Sequence, residues 1–281
     1  EDDVAFVARQ PASPAARRRA MMALVACPVA AIGSSRSGRA KGQPDEAAPE
    51  RAGGPGGREP KASVPTEVML AAHAFPYEVT PGVLDCGYAA ESSFGAASWL
   101  VLRPEGNVLV DSPRFAAPLA GRIRALGGVR LMFLTHRDDV ADHARWAEVL
   151  GCERALHARD LSAGTRGVER VLEGDAPIPL APGVTAIPVP GHTAGSTALH
   201  VDDELLFTGD HLWGDAEGRL GASRAVCWHD WGEQTASMEK LGALRFRRVF
   251  PGHGRPWHAP SAEVARREVL ALARAMRGER R

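Results

Sequence analysis

Short apolar runs alternate with helical patterns along most of the chain. Residues 97–102 and 107–111 flank Pro104-Glu105-Gly106, and this arrangement predicts a β-hairpin. The other predicted strands cover 130–134, 184–189, 197–201, 204–208 and 248–251, and the predicted helices cover 119–126, a segment beginning near 140, and 261–276 with Ser261 as its N-cap. Hairpins mixed with helices indicate sheets packed on each other with helices outside, an α+β class.

The pattern stops in residues 34–63, which are rich in Gly, Pro, Ala and charged residues and nearly free of large apolar side chains. Such a segment cannot bury a core, so it predicts a disordered linker. It divides the chain into a head, residues 1–33, and a body, residues 64–281. The body is long enough for one complete domain.

Bulk composition narrows the possible functions. The 281 residues are 44% hydrophobic, and 34 Lys and Arg balance 34 Asp and Glu. This charge balance does not favour binding to nucleic acid. No apolar run reaches the ~20 residues that a membrane span needs. The cysteines are far apart without a CxxC pair, which argues against a disulfide scaffold and a cysteine zinc finger. We expect a small-molecule substrate as partner, and the oligomeric state is left open.

Residues 134–143, LTHRDDVADH, lie where a predicted strand passes into a predicted helix. Thr135 or Asp139 could be an N-cap with carboxylates complementing the helix dipole, or the His and Asp side chains could bind a metal. In four other segments a strand ends and a His or Asp follows, usually beside glycine: VDS at 110–112, PGHTAGS at 190–196, TGDH at 208–211 and PGHG at 251–254. Glycine permits a sharp turn at a strand end, where a cavity can form. Together the segments favour the metal interpretation.

The order of these side chains resembles the five motifs of the metallo-β-lactamase fold superfamily, over nearly all of the body: Asp111, then His136 with Asp142-His143, then His192, Asp210 and His253. The resemblance implies a four-layer αββα sandwich whose sheet ends hold one or two metal ions. Imidazole and carboxylate ligands together suit zinc, with Fe or Mn as alternatives.

The second motif departs from the family pattern His-x-His-x-Asp-His, because two residues are inserted and the second histidine is missing. Asp138 stands nearest to the missing position, and Asp139 follows it. The resemblance implies a first metal position held by His136, His192, Asp210 and one of these aspartates. It implies a second position held by Asp142, His143, His253 and a bridging Asp210. Asp142 is also the expected catalytic residue, and Asp111 is expected to orient a ligand from behind.

Residues 92–115 and 132–143 resemble, more closely, a plant, algal and cyanobacterial subfamily in which a small ferredoxin-type domain precedes this domain. The head contains ACPVAAI at 26–32, similar to the end of ferredoxin domains, so Cys27 is the expected remnant of an iron–sulfur site. A cluster needs about four ligands and would require further cysteines upstream. The basic run Arg17-Arg18-Arg19 also fits a targeting segment. The resemblance implies the chloroplast stroma for a plant or algal protein, and the cytoplasm otherwise.

Trp228 and His229, within CWHDW at 227–231, are candidates for lining the substrate mouth, with aromatic packing as the alternative. Among the remaining polar side chains, we expect structural or exposed roles for His157, His211 and His258.

The implied chemistry is hydrolysis. A metal site of this kind activates water and polarises a carbonyl or phosphoryl oxygen, and the sequence has no Gly-x-Ser-x-Gly motif for a serine nucleophile. We therefore expect a metallo-hydrolase using metal-bound hydroxide on a small ester-like substrate, with thioester cleavage as in glyoxalase II as the nearest analogue. The alternatives are an iron-dependent redox enzyme coupled to a ferredoxin-type electron partner, and a non-catalytic metal-binding module.

Overall fold

The computed structural model describes residues 10–27 and 73–278, so the linker predicted over 34–63 lies outside the described residues. The helices of the described residues are α1 (Pro14–Ala26), α2 (Ala117–Ala125), α3 (His143–Leu150), α4 (Trp231–Gly242) and α5 (Ala262–Gly278). The strands are β1 (Tyr77–Thr80), β2 (Val83–Asp85), β3 (Trp99–Val101), β4 (Val108–Val110), β5 (Leu131–Phe133), β6 (Glu153–His157), β7 (Arg170–Leu172), β8 (Ile178–Ala181), β9 (Val184–Pro188), β10 (Thr197–Val201), β11 (Leu205–Gly209), β12 (Trp213–Gly214), β13 (Leu220–Gly221), β14 (Arg248–Pro251) and β15 (Trp257–His258).

The strands form two large sheets. The first has the order β1-β2-β3-β4-β5-β6-β7, antiparallel from β1 to β4 and parallel from β4 to β7. The second has the order β15-β14-β11-β10-β9-β8, in which only the β11–β14 pair is parallel. Strands β12 and β13 form a separate small hairpin.

The alternation of side chains along β3 explains how the layers stack. Trp99 and Val101 belong to the cluster between the two sheets, where the Trp99 ring meets the Phe250 ring edge-on at 5.1 Å. Leu100 points to the opposite face and packs under the helices of the first sheet. Successive side chains of a strand point to opposite faces, so one three-residue strand contributes to two cores.

Helices cover both outer faces. On the first sheet, Leu119 and Ile123 of α2 and Trp146 of α3 join the buried cluster. On the second sheet, Met238 of α4 and Val269 of α5 join another. The predicted αββα sandwich is therefore confirmed.

Helix α1, which lies in the head, packs on the body. Val25 is buried in the cluster beneath α2 and α3, with Met21 and Met22 against it. The Arg114 guanidinium, from the body, donates a hydrogen bond to the Val25 carbonyl at 3.3 Å. The described part of the head thus shares a core with the body, while the division into head, linker and body stays a prediction.

Most predicted elements are confirmed, including the β3–β4 hairpin and the cap at Ser261, whose hydroxyl accepts from Val264 N at 3.3 Å. The helix predicted from about 140 begins only at His143. Several short strands, including β1, β2 and β12, were not predicted because two to four residues carry too little periodicity. None of the described helices is long and apolar enough to cross a membrane.

Candidate metal centre

One edge of the sandwich collects the chemistry-bearing side chains, because each follows the end of a strand. Asp111 follows β4, and His136 to Asp139 follow β5 in the first sheet; His192 follows β9, Asp210 follows β11 and His253 follows β14 in the second. The two sheets therefore contribute to the same site from opposite sides.

A first group consists of His136, Asp138 and His192, whose ligand atoms lie within 4.8 Å of one another. The His192 Nε2 atom is 3.6 Å from Asp138 Oδ2. It is also 3.8 Å from Asp210 Oδ2, which is equally far from His136 Nε2. Asp210 therefore lies against both histidines of this group.

A second group consists of His136, Asp139 and Asp210, again within 4.8 Å. The Asp139 Oδ2 atom is 3.9 Å from His136 Nε2. The His253 Nδ1 atom is 2.8 Å from Asp210 Oδ1. His136 belongs to both groups, and Asp210 of the second group also lies 3.8 Å from His192 Nε2 of the first, which is the position expected for a bridging carboxylate.

The two buried histidines are held with Nε2 facing the site. The Thr135 hydroxyl bonds to Asp111 Oδ2 at 2.9 Å and to His136 Nδ1 at 2.9 Å. Because a carboxylate can only accept, the hydroxyl proton goes to Asp111, and His136 donates from Nδ1. His192 Nδ1 lies 2.6 Å from the Val226 carbonyl, which makes that nitrogen a donor as well. Both Nε2 atoms are left as lone-pair donors toward the site.

The buried polar atoms at the centre lack protein partners. His136 Nε2, His192 Nε2 and both Asp139 carboxylate oxygens are buried without a hydrogen bond. Such atoms are uncommon because an unpaired buried polar group costs free energy. Burial lowers the pKa of His136 to about 4, and burial together with Asp210 raises the pKa of Asp139. Convergent imidazole nitrogens and carboxylate oxygens are ligands that fit a divalent transition metal, which would satisfy all of them.

Glycines make room for this cluster at two points. Gly209 has φ +50°, and a Cβ there would lie 2.4 Å from the Thr135 hydroxyl oxygen. A Cβ at Gly252 would lie 2.6 Å from Asp139 Oδ2. The glycines in the Gly-Asp and Gly-His motifs are therefore needed for close approach as well as for turning.

Neither Asp142 nor His143 belongs to either group, and their roles as ligands and the catalytic role of Asp142 stay predictions. Asp142 Oδ2 accepts from the Phe115 backbone N–H at 2.6 Å, and His143 Nδ1 accepts from the Arg154 guanidinium at 3.2 Å. The loop extends to residue 142 before α3 begins, and both side chains bond to residues outside the two groups. Asp139, in the second group, is the carboxylate that competes with Asp142 for the second metal position.

Asp160 was missed by the sequence analysis. It is fully buried and accepts from Arg137 N at 3.0 Å, Thr193 Oγ1 at 2.5 Å and Gly195 N at 2.8 Å. It thus ties the loop after β5 to the loop after β9. Its position just beyond β6 is the only signal that the sequence carries for it.

A cavity of about 360 Å³ opens onto the cluster. Its lining comprises Phe94, Asp138, His192, Asp210, Trp213, Val226, Trp228, His253 and Gly254. Trp228 is among these residues, and its contact with a substrate stays a prediction. His229 is not among these residues, and its ring pairs with Glu233 at 3.3 Å. Cys27 is the residue that follows the last turn of α1.

Comparison with known proteins fits this geometry. A hydroxyacylglutathione hydrolase of Methylobacillus flagellatus is 30% identical over 200 residues, which are 63% of this chain and 73% of the relative. The chain belongs to the metallo-β-lactamase superfamily. The structure of a metallo-β-lactamase from Hirschia baltica superposes with a TM-score of 0.55 at 20% identity, covering 71% of this chain and 95% of that one, and so shares the fold.

Other members of the superfamily match a shorter part of the chain. A hydroxyacylglutathione hydrolase of Rhizobium etli is 32% identical over 171 residues, 58% of this chain. The chain spans 62% of that relative's length. Residues 1–34 match the family model described as the 4Fe-4S single cluster domain of ferredoxin I. The head is therefore similar to part of a ferredoxin-type domain.

Proposed function

We propose that this superfamily member is a metal-dependent hydrolase of a small ester or thioester. The observation that carries the proposal is the convergence of unpartnered, buried His136 Nε2, His192 Nε2 and Asp139 oxygens at the base of an open cavity. The names of the relatives, hydroxyacylglutathione hydrolases, support a thioester as the substrate.

The donor set suggests two metal positions. The first would be held by His136, Asp138, His192 and Asp210, and the second by Asp139, Asp210 and His253. A bound divalent cation supplies Lewis acidity, lowering the pKa of a bound water toward ~7 and polarising a carbonyl oxygen. The mixture of imidazole and carboxylate suits zinc, iron or manganese.

The chain's own residues hold and orient these donors. Thr135 and Asp111 fix the His136 ring, and the Val226 carbonyl fixes the His192 ring. In the overall reaction, the oxygen of water bonds to the acyl carbon and the carbon–sulfur bond breaks. The thiolate leaving group then takes up a proton. Asp138 and Asp210 are the carboxylates that line the cavity, where they would hold the metal.

Metal analysis together with thioester hydrolysis tests the proposal. The purified protein should contain one or two equivalents of divalent metal and release thiol from S-hydroxyacylglutathione or a neutral thioester. Chelation or Asp210→Ala should abolish both, while Asp175→Ala, on the exposed Arg159 pair, should change neither. Metal-loaded protein that cleaves no ester or thioester would refute the proposal.

A second candidate is an iron-dependent redox enzyme. The ferredoxin-type match of residues 1–34 favours it, as does the packing of α1 on the body. In this case the metal would be iron, and a ferredoxin-type partner would supply electrons. Iron content, together with an electron paramagnetic resonance signal that changes on reduction, tests it. Full activity with zinc alone would exclude it.

A further inference from the structure

Aromatic side chains at the mouth of the cavity are exposed to an unusual degree. Phe94 is 80% exposed and Trp228 is 61% exposed, and Val226 lies beside Trp228 at 38%. Many of the other large apolar side chains in the described part of the chain are buried in the three cores. Exposed apolar groups rimming a concave site are typical of ligand binding.

Phe94 and Trp228 each contact one histidine of the candidate metal centre. The Trp228 ring centroid is 6.2 Å from that of His192, and Trp228 N donates to the His192 carbonyl at 3.0 Å. The Phe94 carbonyl is 3.2 Å from His253 Nε2. His192 belongs to the first group and His253 pairs with Asp210 of the second, so the two residues are anchored at different parts of the cluster.

The backbone of Phe94 is also unusual. Its φ is +50°, a left-handed conformation that is costly for a bulky residue. The turn is held by hydrogen bonds from Phe94 N to the Glu91 carbonyl and from Gly95 N to the Ala90 carbonyl. The fold maintains a strained backbone at a residue whose side chain is left almost uncovered. Strain of this kind is concentrated at ligand clamps.

The charged residues that line the cavity also bear on which substrates it can bind. The described residues that line it include no lysine or arginine, and they include the carboxylates Asp138 and Asp210. Arg137 is nearby, but its Nε lies 3.8 Å from Asp138 Oδ1. Both carboxylates are ligands in the proposed metal site, so a substrate arm bearing carboxylates would meet aromatic faces and no lysine or arginine among the described lining residues.

We propose that the cavity selects an uncharged ester or thioester that carries an apolar, ring-sized group, held by Phe94 and Trp228. This inference rests on the proposed hydrolase function and specifies its substrate class. The cavity volume, about 360 Å³, suits a small substrate of this kind. It also separates this protein from what the names of its relatives suggest, since glutathione carries two carboxylates.

Matched thioesters test the selection. The probes are the acetyl, phenylacetyl and succinyl thioesters of neutral N-acetylcysteamine, and S-benzyl thioacetate, which carries the ring on the thiol side. We expect kcat/KM for one ring-bearing probe to exceed that for the acetyl thioester by about 10-fold, as burial of part of a ring provides. The succinyl thioester should be the poorest. Equal values for all four probes, or a preference for the succinyl thioester, would overturn the inference.

Substitutions test whether the residues at the cavity mouth, rather than other exposed residues, bind the ring of the substrate. Phe94→Ala or Trp228→Ala should lower kcat/KM for the preferred ring-bearing probe by roughly 10-fold and for the acetyl thioester by less than about 3-fold. Trp228→Phe should restore most of the loss. Tyr77→Ala is the control, because Tyr77 is 51% exposed and does not line the cavity.

A binding measurement distinguishes failure of this inference from failure of the proposed function. The uncleavable phenethyl thioether of N-acetylcysteamine should bind in calorimetry, with its Kd raised about 10-fold by Trp228→Ala. Binding of this kind without any thioester cleavage would refute the proposed hydrolase function and support the proposed apolar binding site at the mouth of the cavity. Cleavage at the same rate with and without a ring on the substrate, and unchanged by Trp228→Ala, would support the hydrolase function and refute the proposed role of the cavity mouth.

Discussion

The two loops that supply the buried histidines differ in how much freedom they have. After β9 the chain closes at once: Val189 N donates to the Ser196 carbonyl at 2.8 Å, and Gly191 N donates to the Thr193 carbonyl at 3.0 Å. After β5 the chain runs through residues 134–142 before α3 begins. The first loop has one side chain to present to the site, His192, whereas the second has three candidate carboxylates beyond His136, and His143 follows at the start of α3.

The longer loop is fixed by contacts outside itself. Ala141 N donates to the Ser93 hydroxyl at 3.2 Å, and Ser112 N donates to the Asp139 carbonyl at 3.3 Å. These contacts turn Asp138 and Asp139 toward the cluster and leave Asp142 outside it. A ligand on a short, closed loop can thus be placed from its motif, whereas a ligand on a long loop depends on the partners of that loop.

The strongest test of this comparison replaces one histidine from each segment. His192→Ala should lower metal affinity by roughly 100-fold or more, since ligand loss costs at least as much as the ~10–100-fold of an outer-shell change. His143→Ala should leave metal content unchanged, because His143 contacts Arg154. Metal analysis after dialysis measures both, with circular dichroism as the control for folding. Loss of metal from His143→Ala would restore the motif-based assignment.

A second test compares carboxylates within the longer loop. Asp139→Asn and Asp138→Asn should each weaken one metal equivalent by about 10–100-fold, at different positions. Asp142→Asn should keep both equivalents and cost less than about 1 kcal/mol in unfolding free energy, because the amide oxygen can still accept from Phe115 N. Metal titration by calorimetry distinguishes them. Equal stoichiometry and affinity for all three variants would remove the distinction between the aspartates.

The difference between the two loops explains which site residues could be predicted from the sequence. His192, Asp210 and His253 could be predicted because glycine-bearing turns keep them at strand ends. Asp139 could not be chosen over Asp142 from the sequence, since both fit a carboxylate position. The choice depends on where α3 begins, and the Ser93 hydroxyl that holds the loop is distant in sequence.

The link between the two loops gives a third, smaller effect. Asp160→Asn replaces an acceptor carboxylate, buried against Arg137 N, Thr193 Oγ1 and Gly195 N, by an amide that cannot accept at both positions. We expect about a 10-fold loss of metal affinity and a loss of about 1–3 kcal/mol in unfolding free energy. Denaturant unfolding and metal titration measure the two. Asp175→Asn, on the exposed pair with Arg159, is the control. Unchanged metal affinity would mean that the loops hold their geometry independently.

More of the fold than of the candidate site could be predicted from the sequence. Continuous apolar runs such as β5 and β10, and the amphipathic α5, carry enough residues for periodicity to decide. The short edge strands β1 and β15 are defined by their pairing partners rather than by their own pattern. The packing of α1 on the body could not be predicted from the sequence either, because it depends on Arg114 and on a core formed by segments that are distant in sequence.

The smallest expected effect concerns the network that holds His143 away from the metal centre. Arg154 binds the Glu169 carboxylate at 2.7 and 3.0 Å, which lowers the pKa of Glu169 from 4.5 to about 2. A lowered pKa means that the stabilisation is present above pH 4.5 and is lost as the pH falls through about 2. Because Glu169 is partly exposed, we expect Glu169→Gln to cost only about 1 kcal/mol near pH 7. The difference from wild type should shrink between pH 4.5 and 2 in denaturant unfolding. A difference that stays constant over that range would mean that packing of the Arg154 side chain, rather than the ion pair, holds His143 in place.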